Sequence, residues 1–302
     1  MELRQIRYFE AVARLLHFTR AADELRVAQP ALSLQIRQLE TELGVQLFDR
    51  TTRRVGLTDA GETLLPSARR IIAEADEARA RLRDMTGLEA GRVTIGAQQS
   101  LIASGVLLDV LVEFRDRRPG VDVVVREEAA EGSLAMLVEG LVDLVLAMVD
   151  DVADDSAFLV ESLFQEEVVF VVGHGHRLVG AAVELPGLLA EPFIAFNEGA
   201  GLRRMLLRAC VDAGFQPRIA YESGALGSIR AMAAAGLGVA LLPLPVLRVP
   251  GPPVKVLDTG VRLRRTISLV RPAERYHTAA AKALTTLLRA RLKQIHSSPG
   301  PA

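Results

Sequence analysis

Apolar positions near the start of the chain fall three or four residues apart. Leu3, Ile6, Phe9, Val12 and Leu16 form one stripe and predict a helix. A second helix is expected over 18–25, with Thr19 as N-cap and the small Ala21 and Ala22 where two helices cross closely. After about three residues a third helix opens on Pro30, sets Leu32, Ile36, Leu39 and Leu43 on one face, and stops at Gly44. Two short β-like runs, 45–50 and 55–58, then flank a basic tip and predict a hairpin wing. Two amphipathic helices joined this tightly, the second followed by a wing, read as a helix-turn-helix.

From Thr58, placed to cap it, a long helix is expected, with Asp59 and Glu62 at its positive end. Leu64, Ala68, Ile71, Ala75, Ala78, Leu82 and Met85 recur at alternating steps of four and three, the pattern of a coiled-coil seam. Such a helix runs about 40 Å. Charge crowds its other face, so the seam predicts self-association.

Beyond Gly91 the period changes. Strands are expected at 92–97, 121–126, 142–149, 168–172, 193–197, 219–221, 239–242 and 266–270. Helices are expected at 106–117, 134–139, 185–190, 202–213, 227–235 and 279–295. That alternation predicts an α/β domain with a mostly parallel sheet covered by helices. Residues 297–302, Ser-Ser-Pro-Gly-Pro-Ala, are expected to be a disordered tail.

Composition narrows the function. The chain has 302 residues, half of them apolar, and a formal net charge of -1. No global charge pulls it to nucleic acid, so DNA affinity must come from a local surface. Residues 1–58 hold nine Arg against seven Asp and Glu. Cys210 is the single cysteine, which excludes an intramolecular disulfide and fits a reducing, cytoplasmic location. The opening residues carry Glu2, Arg4, Arg7 and Glu10 with no apolar run after them, so no signal peptide is expected. No apolar stretch reaches membrane-spanning length, and the absence of Trp argues against a stacking platform for single strands.

On the third helix, Gln29, Ser33 and Arg37 form a row opposite the apolar face, flanked by Pro30 and Leu34. Gln pairs with adenine, Arg with guanine or phosphate, and an exposed Leu34 can touch a thymine methyl. At the wing, Arg50, Arg53 and Arg54 can neutralise phosphates or enter a minor groove. Double-stranded DNA is therefore the expected partner.

The run AADELRVAQPALSLQIRQLETELGVQLFDRTTRRVGLTDAG resembles the N-terminal winged helix-turn-helix of LysR-type transcriptional regulators. The resemblance continues through the long helix to Phe114…Pro119, Gly140-Leu141-Val142-Asp143-Leu144, and Ala234 through Pro243. It implies an all-α winged domain (1–58), a linker and dimerisation helix (59–87), and an effector domain (88–296) shaped like a periplasmic binding protein. The implied lobes are 91–162 with 267–296, and 163–266, with a ligand cleft between them. It also implies homotetramers built as dimers of dimers, a regulator rather than an enzyme, and RNA polymerase as a further partner. Gln29, Pro30, Ser33 and Arg53 match positions that touch DNA in the family. The sequence departs at Leu34, often polar in relatives, and at Ala28, often a capping Ser.

Ligands of open α/β sheets bind outside the carboxyl ends of strands, and free N–H groups at helix starts favour anions. Ser100 and Asn197 are therefore the cleft candidates, with Gln98, Gln99, Met148 and Leu226 as wall. A small carboxylate is the expected effector; no cofactor and no metal are expected. Gly236-Leu237-Gly238 precedes a strand rather than a helix, so it is no dinucleotide fingerprint. His174 and His176 lack a third ligand, and Cys210 sits in a helical apolar pattern that marks a buried residue, not a sensor.

Overall fold

The computed structural model describes residues 1–50, 55–85, 91–149 and 156–294, which divide near residue 88 into two compact units. The wing residues Arg53 and Arg54, the end of the long helix at Gly87, and the expected tail lie outside the described residues.

The first unit is built from α1 (Leu3–Leu15), α2 (Phe18–Leu25) and α3 (Gln29–Leu43), then the hairpin β1 (Phe48–Arg50) and β2 (Val55–Leu57), then α4 (Asp59–Met85). The stripe of α1 holds through Val12, but Leu16 leaves it as a left-handed C-cap (φ 47°) and stands half exposed. The N-cap of α2 lies two residues before the expected Thr19: it is His17, whose Nδ1 accepts from the Arg20 amide at 3.3 Å. Gly44 ends α3 with φ 71°, a conformation that costs a side chain and suits glycine. Thr58 caps α4 as expected, its Oγ1 accepting from the Gly61 amide at 3.1 Å.

Helix α4 corrects part of the seam. Ala68 is fully buried, and Leu64 packs beside it in the core of Ile6, Phe9, Val12, Leu32, Ile36, Leu39 and Phe48. These two positions face α1, so that stretch of the stripe is spent within the chain. Ala75 is half-buried, Ala78 exposed, and Ile71, Leu82 and Met85 are 38%, 65% and 83% exposed.

The second unit runs β3 (Gly91–Ala97), α5 (Gln99–Ala103), α6 (Val106–Arg117), β4 (Val121–Glu127), α7 (Ala130–Val138) and β5 (Leu144–Ala147). It continues with β6 (Phe158–Gly173), a 3-10 turn (Leu185–Leu188), β7 (Pro192–Phe196), α8 (Gly201–Asp212), β8 (Arg218–Ser223), α9 (Leu226–Ala234) and β9 (Val239–Pro243). It closes with α10 (Leu244–Leu247), β10 (Val254–Val256), β11 (Leu263–Pro272) and α11 (Ala279–Gln294). One sheet has the order β4-β3-β5-β11-β6-β9-β7-β8, with β10 on β6.

The flanks are parallel, as the βαβ alternation predicts, but the centre is not. β11 runs antiparallel to β5 and β6, and β6 antiparallel to β9. The reason is length: β6 spans 16 residues and β11 ten, so both pass through the middle of the sheet and serve two cores. Their register shifts between Ile267 and Ser268, opposite Ser162–Phe164, a bulge that bends the pair. On one side Val93, Ile95, Phe114, Leu144, Ile267, Leu269 and Leu288 pack together. On the other, Phe170, Phe193, Leu206, Cys210, Phe215 and Leu241 do. These are the two lobes.

Candidate functional site

On α3 the buried face is Leu32, Ile36 and Leu39. Gln29, Pro30, Leu34 and Arg37 are exposed on the other side, Leu34 at 49%. Ser33 is 8% exposed, and its Oγ accepts from Gln29 Nε2 at 2.8 Å. Ser33 thus lies at the edge of the core, and the row open to a groove is Gln29, Pro30, Leu34 and Arg37.

A residue overlooked in the sequence fixes the wing to this helix. Glu40 on α3 is 2% exposed, and one oxygen, Oε1, accepts from the amides of Leu47 (3.0 Å) and Phe48 (3.3 Å). Phe48 then packs its ring 5.5 Å from Phe9 and 5.6 Å from Phe18. In the sequence Glu40 stands among Gln38, Thr41 and Glu42, where no period distinguishes a buried carboxylate from a solvated one.

In the second unit the carboxyl ends of β3, β5 and β7 carry Gln98, Met148 and Asn197. Gln98 Oε1 accepts from the Met148 amide at 3.1 Å, tying two strand ends of one lobe. Gln99 Oε1 accepts from the Leu226 amide at 2.7 Å, so a side chain of one lobe caps α9 of the other. A Cβ on Gly201 would lie 2.2 Å from Met148 Cε, so the Met148 side chain packs directly on the start of α8. Arg204 on α8 bridges to Glu131 on α7 at 2.5 Å, and Arg203 pairs with Glu222 at 2.7 Å. Asn197 is exposed beside Gly224. Gln98, Gln99, Met148 and Leu226 thus sit where the two lobes meet.

Ser100 is different from its expectation as a free cleft hydroxyl. It is 4% exposed, and its Oγ accepts from Arg265 Nη2 at 2.6 Å. Arg265, 2% exposed on β11, also donates from Nε to Glu166 Oε1 on β6 at 2.5 Å. Burial lowers the pKa of the guanidinium, and Glu166 opposes that shift. Arg265 lies 165 residues from Ser100, so no sequence spacing could have joined them.

The remaining candidates for chemistry are structural. Cys210 is fully buried, and burial raises its thiol to about 11. His176 Nε2 faces Glu191 at 3.3 Å. No group of three His, Cys, Asp or Glu residues among the described residues could hold a metal ion.

Comparison with known proteins agrees with this layout. Residues 3–62 match the bacterial regulatory helix-turn-helix protein, lysR family, and residues 86–293 match the LysR substrate binding domain. The chain is 36% identical to the HTH-type transcriptional regulator YnfL of Escherichia coli K12 over 252 residues, 82% of this chain and 84% of that one. It is 34% identical to the transcriptional dual regulator GltC of Bacillus subtilis 168 over 281 residues, covering 91% and 92%. The fold matches that of CbnR, a LysR family transcriptional regulator, with a TM-score of 0.74 at 24% identity over 97% of this chain and all of that one. A helix-turn-helix followed by a two-lobed substrate-binding domain, matched along nearly the whole length, makes this chain a LysR-type DNA-binding transcription regulator.

Proposed function

We propose that the chain reads duplex DNA with Gln29, Pro30, Leu34 and Arg37 in the major groove and with Arg53 and Arg54 of the wing on phosphates. The observation that carries this is the exposed, mixed polar and apolar face of α3 opposite a fully buried one. Ser33 supports the row from behind through its bond with Gln29. CbnR, which shares the fold, has been solved with its target DNA.

Ile71, Ala75, Ala78, Leu82 and Met85 serve as the dimer seam, their exposure left for a second copy of α4, and dimers pair into tetramers. A small-molecule effector occupies the cleft lined by Gln98, Gln99, Ser100, Met148, Asn197 and Leu226. Its binding competes with the contacts between lobes, Gln99 with Leu226 and Glu131 with Arg204. An effector shifts the DNA-bound arrangement only through unequal affinity for the two lobe positions. RNA polymerase is the expected downstream partner, and the reducing cytoplasm the expected location. No helix among the described residues is long and apolar enough to cross a membrane.

The test is selection of bound fragments from the source genome by the full chain, followed by anisotropy on the recovered site. Arg37→Ala should weaken binding by about 1–3 kcal/mol if it reads a base. Arg53→Ala should flatten the salt slope by about one. Recovery of no enriched sequence, or unchanged affinity and slope in both variants, would overturn the reading.

A further inference from the structure

Behind Ser100 sits a buried cation that is already neutralised. Arg265 and Glu166 are direct cross-strand partners on β11 and β6, the two strands that run through both lobes. Arg265, Glu166 and Ser100 are 2%, 8% and 4% exposed. The guanidinium donates to Glu166 from Nε, lies in ion-pair contact with the same carboxylate through Nη2, and donates from Nη2 to Ser100 Oγ.

Two consequences follow from the donor and acceptor inventory. A serine hydroxyl has one proton and two lone pairs. With a lone pair committed to Arg265, Ser100 offers its proton as a donor. The ion pair, net neutral, turns its positive end toward that hydroxyl. A dipole so placed orients an oxygen acceptor, but it does not supply the full counter-charge an ion needs on leaving water. The cost of that desolvation is several kcal/mol per ion. The other arginines at the meeting edges, Arg203 and Arg204, are paired with Glu222 and Glu131.

We infer that the effector group received by Ser100 is an uncharged acceptor, a carbonyl, amide or hydroxyl oxygen, and not a carboxylate. This rests on the reading of the cleft as the effector site, and it revises the small carboxylate expected from helix starts alone. Glu166 is the residue that sets this preference. It is a specificity-determining residue that touches Arg265 rather than the ligand.

The probes are acetamide and acetate, equal in shape and different in charge, titrated at matched ionic strength into the full chain and read by calorimetry. Wild type should prefer acetamide. Glu166→Gln leaves Arg265 uncompensated and should tighten acetate by about tenfold or more, the change expected when roughly 1.4 kcal/mol of counter-charge is freed. The double variant E166Q/R265Q should lose that gain. Should E166Q be unfolded in dilute buffer, refolding driven by added acetate reports the same freed charge, and failure of any anion to restore it overturns the inference. Acetate preferred by wild type and weakened by S100A overturns the uncharged-acceptor inference while leaving the cleft as the effector site. A preference that S100A leaves unchanged overturns both.

Discussion

Removing the Glu40 side chain tests whether a buried carboxylate or aromatic packing holds the wing in place. Its Oε1 is the acceptor for two buried amides, Leu47 and Phe48. In Glu40→Ala both N–H groups lose their partner inside a core that water does not reach. Each such orphan costs about 1–3 kcal/mol, so the segment should open at a free energy about 2–6 kcal/mol lower. Glu40→Gln keeps a carbonyl oxygen at the same place and loses only the charge assistance, so about 1 kcal/mol is expected. Hydrogen exchange on the full chain reads this at the two amides themselves. Protection should fall by roughly one and a half to four and a half orders of magnitude in E40A, and by less than one in E40Q. Affinity for operator DNA should fall in the same order, because the wing tip is carried on β1 and β2. Unchanged protection in E40A would mean that Phe48, packed between Phe9 and Phe18, holds the wing unaided. Equal losses in E40A and E40Q would mean that the charge, not the acceptor geometry, matters.

Leu82→Glu with Met85→Glu should leave the fold within about 0.5 kcal/mol, since both positions are exposed, yet dissociate the dimer in sedimentation; an intact dimer refutes the seam. Ala68→Glu, by contrast, should unfold the first unit. Burial raises the Cys210 thiol to about 11, so a disulfide-exchange reagent at pH 8 should label native protein only after unfolding, and Cys210→Ser should leave the DNA response to peroxide unaltered; rapid native labelling contradicts this. His277 accepts or donates at Thr285 Oγ1, 3.1 Å away, and burial with Arg271, Lys282 and Arg289 nearby lowers its pKa from 6.5 to about 4. The unfolded chain then binds more protons than the native one between those values, so this group's contribution to stability falls as pH drops from 6.5 toward 4. Denaturant midpoints at pH 7 and pH 5 should differ less in His277→Gln than in wild type; an equal difference removes His277 as a source.

The helices and the wing were legible because a period of 3.6 with one buried face leaves a clear stripe, as Ile6, Phe9 and Val12 do. Where one stripe serves two purposes the sequence is silent. Leu64 and Ala68 continue the α4 pattern into Ile71 without a break, although the first two pack on their own domain. In β6 an expected five-residue strand was one end of sixteen, because Glu161, Gln165, Glu166 and Glu167 mask its first ten residues as polar. Gln98 and Gln99 could be placed at a strand end by order alone. What they bond to could not, since Leu226 lies 127 residues from Gln99 and Arg265 165 residues from Ser100.

The place of β11 has a consequence for synthesis. It is among the last elements made, yet it lies in the middle of the sheet, between β5 and β6. With α11 it supplies Ile267, Leu269, Leu284 and Leu288 to a lobe whose other strands are among the first of that unit made. Until residues past 272 leave the ribosome, β5 and β6 have open edges and that lobe has no closed core. Domains generally fold as units, the N-terminal one first during synthesis. The DNA-reading unit can thus be complete while its sensor is still an open sheet, so a chain truncated before β11 would keep the reader and lose its control.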